Sequence, residues 1–337
     1  NEDNWRPSSF IGGTPGSADS NAVPARGAIV INEVLAHSDD DDPDWIELFN
    51  ASDGAVDVSG WFLSDRETNL QKYMFPANSF IESGGFLVVF EDRHFNNANA
   101  AGTISPFALS ENGETVYLSS GRNGMLSGYR EKESFGASET GVSLGRYVTN
   151  DEDVNFAPLM AMTPGEANAD PIVNAIIITE IMYDPGSNDT REEYIEIFNN
   201  SAAPVALFGE ASLPWKFTSG IDYTFPAWTT LPAFARMIIA KDVGAFMAAY
   251  TVAPGTTVLG PYGGQLNDGE AIEISLPGDV DNDNVRYYIR QERVRYDSKS
   301  PWPVGADGDG SALTRLDPAA YGNDATNWTA SAPTPGS

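Results

Sequence analysis

The chain repeats itself over the length of a whole domain. Ala28-Ile-Val-Ile-Asn-Glu-Val-Leu35 returns as Ala175-Ile-Ile-Ile-Thr-Glu-Ile-Met182, 147 residues further on. Asp44-Trp-Ile-Glu-Leu-Phe-Asn50 returns as Glu193-Tyr-Ile-Glu-Ile-Phe-Asn199, and Phe86-Leu-Val-Val-Phe90 as Arg236-Met-Ile-Ile-Ala240. Leu109-Ser-Glu-Asn-Gly-Glu114 is matched by Leu266-Asn-Asp-Gly-Glu270. Both copies close alike, on Phe156…Thr163-Pro-Gly165 and on Trp328…Thr334-Pro-Gly336. A period this long is a domain, not the roughly 20–50-residue unit of a solenoid. The 337 residues therefore divide into a first module over 28–168, a linker over 169–174 and a second module over 175–337. Residues 1–27 repeat an ending rather than a beginning, in Trp5…Thr14-Pro-Gly16. They read as the tail of a preceding module plus a linker, so a parent protein longer than this chain is expected.

The local pattern is β throughout. Short apolar, β-branched runs alternate with clusters of Gly, Pro, Asn and Asp, as in a β-sandwich. Trp45-Ile-Glu-Leu-Phe49 and Glu273-Ile-Ser-Leu276 alternate with period two, which predicts strands with one face toward water. Asn112-Gly113 and Asp268-Gly269 stand between apolar runs and predict two-residue hairpin turns. One helix is expected over Asp242–Tyr250, with an Asp near its start and Phe246, Met247 and Tyr250 on its apolar face. Its counterpart in the first copy, Glu91–Asn97, is long enough for a single turn.

Composition removes several function classes. Nineteen basic against 48 acidic residues give a net charge of −29, which repels nucleic acid and anionic lipid headgroups alike. No run approaches the ~18 apolar residues that span a bilayer. There is no cysteine, hence no disulfide, thiol nucleophile or Cys-based metal site. His37 and His94 are the only histidines, too few for a three-His zinc site. Only 5 of the 19 basic residues are Lys, and such a Lys-poor, acidic surface suits a salty or calcium-rich exterior.

The order and spacing of several of these motifs resemble the lamin tail domain family. The matching pieces are Ile31-Asn-Glu-Val34, Asp44–Asn50, Ser59-Gly-Trp-Phe-Leu-Ser-Asp65 and Ser143-Leu-Gly-Arg146. In the second copy they are Ile178-Thr-Glu-Ile181, Glu193–Asn199, Pro301-Trp-Pro303 and Thr314-Arg-Leu316. The second copy departs from the first at Phe208–Leu213 and carries a longer loop before Trp215. The resemblance implies an all-β fold of two tandem immunoglobulin-like sandwiches, with a short helix in the second. It also implies an accessory module of a large exported protein, because the animal family's filament role needs a coiled-coil rod that this chain lacks.

Four constellations are candidates for chemistry. Gly141-Val-Ser-Leu-Gly145 matches the nucleophile-elbow pattern, but both histidines precede Ser143 and a strand-like run follows it, so a structural role is expected. Glu33 with Glu47, and Glu180 with Glu196, sit on neighbouring predicted strands. Paired carboxylates ~5–10 Å apart do acid/base work in hydrolases, yet strand glutamates are also commonly held by backbone donors or an Arg. Asp279, Asp281 and Asp283 open like an EF-hand, but Asn284 replaces the required Gly and Arg290 the final Glu. With Asp307 and Asp309, and more loosely Asp39–Asp42 with Asp44, they are the candidate ligands for Ca²⁺, the one cofactor expected. Trp215, Trp228 and Trp302 fall in loops or strand ends of the second copy, and Trp302 and Trp215 are the candidate ligand-binding aromatics. Asn50, Asn188, Asn199 and Asn327 begin Asn-x-Ser/Thr sequences, the acceptor pattern for glycosylation.

The expected function is non-catalytic: a spacer, tether or binding module of an extracellular or cell-surface protein. Its partners would be other modules of the same chain and a surface protein or polysaccharide, with no nucleic acid and no membrane insertion. The alternative is a polysaccharide-binding accessory module of a secreted hydrolase.

Overall fold

The computed structural model describes residues 24–39, 42–209, 213–281, 283–308 and 310–337. The expected tail of a preceding module lies, up to residue 23, outside the described residues. Two compact units emerge: one ends at Tyr147 and adds Asn155–Pro171, the other comprises Val148–Val154 and Ile172–Ser337.

The first copy contains β1 (Ile29–Leu35), β2 (Trp45–Asn50), β3 (Val56–Asp57), β4 (Phe62–Ser64), β5 (Tyr73–Met74), β6 (Phe80–Ile81), β7 (Phe86–Phe90), β8 (Gly113–Arg122), β9 (Met125–Gly136), β10 (Leu144–Val148) and β11 (Val154–Pro158). One sheet runs β11-β10-β1-β2-β7, a second β5-β4-β8-β9, and β3 pairs β6 beside them. Ile29, Ile31, Val34, Ile46 and Leu48 of the first sheet share one buried cluster with Leu63, Val116, Leu118 and Tyr129 of the second and with Trp61, just before β4. Tyr129 fastens the two sheets: its hydroxyl donates to Ile29 O at 2.5 Å and accepts from Ile29 N at 3.0 Å.

The second copy contains β12 (Ile176–Met182), β13 (Tyr194–Asn199), β14 (Val205–Ala206), β15 (Lys216–Ser219), β16 (Thr230–Leu231), β17 (Arg236–Ala240), β18 (Thr257–Leu259), β19 (Gly269–Val280), β20 (Arg286–Asp297), β21 (Ala312–Arg315) and β22 (Trp328–Ser331). The sheets are β18-β17-β13-β12-β21-β22 and β15-β19-β20, again with a small pair, β14-β16. Helix α1 (Val243–Ala249) lies where the sequence predicts it, with the Asp242 side chain accepting from Ala245 N at 2.9 Å as N-cap. It buries Phe246 against Tyr194 on the outer face of the larger sheet, while Met247 points to solvent, 53% exposed. Its first-copy counterpart is one π-helical turn, Glu91–Phe95.

Two sequence expectations are corrected here. Asn112-Gly113 and Asp268-Gly269 do not join hairpins but lead into β8 and β19. The tight turn of the first copy is Asn123-Gly124, where Arg122 faces Met125 and both turn residues are left-handed, with φ of 53° and 76°. Strand β2 has no wet face, because Trp45 through Leu48 are all buried. Glu47 is 0% exposed, and so is Glu33 directly opposite it on β1.

Candidate functional site

The buried glutamates are the most chemically distinctive groups in both copies. A register irregularity falls between Ile31 and Glu33 in β1 and again between Ile178 and Glu180 in β12. Such a bulge re-aims the next side chain. It sets Glu33 opposite Glu47, and Glu180 opposite Glu196. Like charges directly opposite each other on a ladder repel, so each pair needs donors.

The closing Thr-Pro-Gly segment of the same copy supplies them. Glu33 accepts from Thr163 N at 3.1 Å and Thr163 Oγ1 at 2.7 Å, and Glu47 accepts from Gly165 N at 2.5 Å. In the second copy Glu180 accepts from Thr334 N at 2.8 Å and Glu196 from Gly336 N at 2.7 Å. The two repeated motifs are thus one structure, a carboxylate clamp on the end of the module. Side-chain partners differ between copies. Glu47 is helped by Asn32 Nδ2 at 2.7 Å, whereas Glu196 takes Thr179 Oγ1 at 2.6 Å and the Arg236 guanidinium at 2.5 Å.

Burial pushes Glu47 up to about 7, and the neighbouring charge of Glu33 adds to the rise. Burial likewise lifts Glu180 to about 7, with Glu196 adding to it. A proton on Glu47, and one on Glu180, relieves the repulsion in its pair. These are properties of an acid/base catalyst, but the geometry denies a substrate access. All four glutamate residues are at most 1% exposed, and in each copy the closing segment donates to both members of the pair. Ser143 of the elbow-like motif is also fully buried, and its hydroxyl donates to Glu33 at 2.6 Å. It therefore completes the clamp and attacks nothing. Asn50 and Asn199 are buried turn locks: each side chain accepts from the Ser two residues on and donates to backbone carbonyls.

The candidate calcium ligands do not converge. Asp279 at the end of β19, Asp283 in the loop between β19 and β20, and Asp307 elsewhere in the unit are all exposed. Asp281 turns its carboxylate inward onto its own loop, accepting from Asp283 N at 2.9 Å, Val285 N at 2.8 Å and the Tyr287 hydroxyl at 3.2 Å. Asp309, Asp40 and Asp41 lie outside the described residues. Among the described residues no three His, Asp or Glu side chains gather as a metal requires.

Nor do the two favoured tryptophans offer a ring face. Trp215 is 7% and Trp302 8% exposed, both within the core of the second copy. Trp215 N donates to Leu207 O and Phe225 N to Trp215 O. The same pattern holds Trp61, through Val58 O and Phe75 N, so Trp215 is the second copy's version of that core residue. Its longer preceding loop hides the correspondence in the sequence. Trp302 packs on Trp328 with ring centroids 6.1 Å apart. One edge borders an open cavity of about 450 Å³ that Arg295, Tyr296, Asp297 and Lys299 also line, together with residues 151–153, all of the second unit. Four carboxylates against two cations make that cavity acidic. Trp228, by contrast, is 68% exposed.

A family model described as Lamin Tail Domain matches the chain twice, over residues 22–131 and 171–292. No curated protein and no solved structure matches it.

Proposed function

Because the chain belongs to the lamin tail domain family, and carries that immunoglobulin-like domain twice, we propose that it is a non-catalytic tandem module of a larger exported or cell-surface protein, acting as spacer or tether. One observation carries this reading. The paired glutamates of both copies are sealed from solvent and occupied in holding each module's closing segment. The duplication of that arrangement favours a fold-wide structural role over a catalytic one, which would be needed once. The absence of cysteine, the scarcity of lysine and the −29 charge favour an extracellular setting. No helix among the described residues is long and apolar enough to cross a membrane.

Two measurements test the proposal. Antibody against the chain should label intact cells that make the parent protein, and external protease should remove the label. The purified chain should turn over no glycoside, ester, peptide or phosphate substrate. Turnover that Glu47→Gln or Glu180→Gln abolishes would overturn the non-catalytic reading.

A further inference from the structure

The two copies place the same left-handed turns around their small paired strands, but fill them differently. In the first copy the residues are Asn78, with φ of 66°, and Gly84, with φ of 69°. In the second they are Trp228, with φ of 66°, and Phe234, with φ of 55°. The backbones correspond: Val58 N donates to Ser79 O at 2.9 Å, and Leu207 N to Thr229 O at 2.8 Å. Asn and Gly tolerate this conformation, whereas a bulky aromatic side chain is strained in it. The strain gains no core packing, since Trp228 is 68% and Phe234 62% exposed. Backbone strain at an exposed side chain is a mark of a functional position.

A second difference accompanies the first. In the first copy the Ser59 hydroxyl accepts from Ser79 N at 3.0 Å beside Asn78. The corresponding residue in the second copy is Phe208, half-buried, with its ring 5.1 Å from that of Trp228 and inclined at 68°. Both members of the Phe208–Trp228 contact thus stand where the first copy has polar residues, Ser59 and Asn78. Phe208 braces the indole from one side and leaves the rest of it open.

We propose that Trp228, braced by Phe208, is a stacking platform for a sugar ring of a neutral polysaccharide. Two considerations select this occupant. A chain with a net charge of −29 repels polyanions, which leaves neutral polymers favoured among glycans. A tryptophan offers at most about 250 Å². With 68% of it exposed, roughly 170 Å² is available, against the ~800 Å² per partner of a stable protein interface. That area is about one ring. The apolar C–H face of a hexose or pentose fits it, with desolvation and stacking as the attraction. The inference goes beyond the spacer role, because it gives the second copy a ligand that the first copy lacks.

The test is retention of the full chain on cellulose, chitin, xylan, galactomannan and amylose, with alginate and polygalacturonate as anionic controls. Trp228→Asn restores the first copy's residue, so its melting temperature should equal or exceed that of the wild type. Retention on at least one neutral polymer, reduced at least tenfold by W228N and by Phe208→Ser, is the expected result. The proposal is overturned by no retention on any neutral polymer, by equal retention of W228N, or by preference for the anionic polymers. Self-association in sedimentation experiments that W228N removes would also overturn it, by making the occupant a protein. Each of these failures leaves the spacer reading standing, since that reading is judged by surface exposure and turnover.

Discussion

The carboxylate clamp makes a sharp prediction about pH. Glu47 in the folded first copy is raised from 4.5 to about 7 by burial. A group whose folded pKa lies above its unfolded value favours folding while protonated. Its contribution is complete below about pH 4.5 and is lost as pH rises through about 7. A shift of that size corresponds to about 3 kcal/mol, and water reaching the opened clamp reduces it to ~1–2 kcal/mol. Glu47→Gln keeps the shape and one acceptor for Gly165 N but has no proton to lose. At pH 5 it should therefore match the wild type closely. At pH 8 it should gain on the wild type by ~1–2 kcal/mol, or about 2–8 °C in the melting temperature of one unit. Calorimetry of both proteins at pH 5, 6, 7 and 8, at fixed ionic strength, measures the difference. If the gap between E47Q and wild type is the same at every pH, the buried carboxylate is not the titrating group and the reasoning fails.

Arg236→Ala should cost about 2 kcal/mol in the second unit. That is below the roughly 3–5 kcal/mol of a fully buried pair, because the Arg236 side chain is 25% exposed while Glu196 is 2%; denaturant midpoints with unchanged slope would show it. Tyr129→Phe deprives the buried Ile29 amide of its bond across the sheets and should cost ~1–3 kcal/mol in the first unit, read as a loss of hydrogen-exchange protection at Ile29. Millimolar Ca²⁺ and Mg²⁺ should shift the melting temperature equally, since Asp281 is engaged by Asp283 N, Val285 N and the Tyr287 hydroxyl and the other described acidic residues do not gather around it. A calcium-selective rise would restore the acidic loops as sites.

Much of this architecture is legible in the sequence. The repeat gives two modules without any structural knowledge, and Asp242 with Phe246 marks the helix because capping and apolar spacing are local signals. What the pattern does not carry is the identity of the second cover on a strand. Period two in β2 says that Glu47 and Ile46 face opposite sides, but Gly165, 118 residues away, decides that Glu47's side is dry. Both halves of the clamp were visible as separate repeats. Their contact, formed across 130 residues between Glu33 and Thr163, was not. Trp215 escaped for a different reason: the insertion before it breaks its alignment with Trp61, and only the shared backbone bonds restore it. Trp228 was the reverse case. Its exposure depends on a left-handed φ that no propensity scale assigns to tryptophan.

The clamp also bears on how such a chain grows. In each copy the first strand and the closing segment meet at the same pair of glutamates, with Glu33 only four residues from the start of β1. At ~3.4 Å per residue in a strand, the start of β1 lies only about 14 Å along the chain from that meeting point. A unit whose ends converge can be copied, inserted into a surface loop of another protein or permuted without re-threading its sheets. The 147-residue repeat is what such freedom permits. A gene encoding the first unit rejoined through a short Gly-Ser bridge from residue 168 to residue 28, and reopened at Asn123-Gly124, should still yield a folded sandwich.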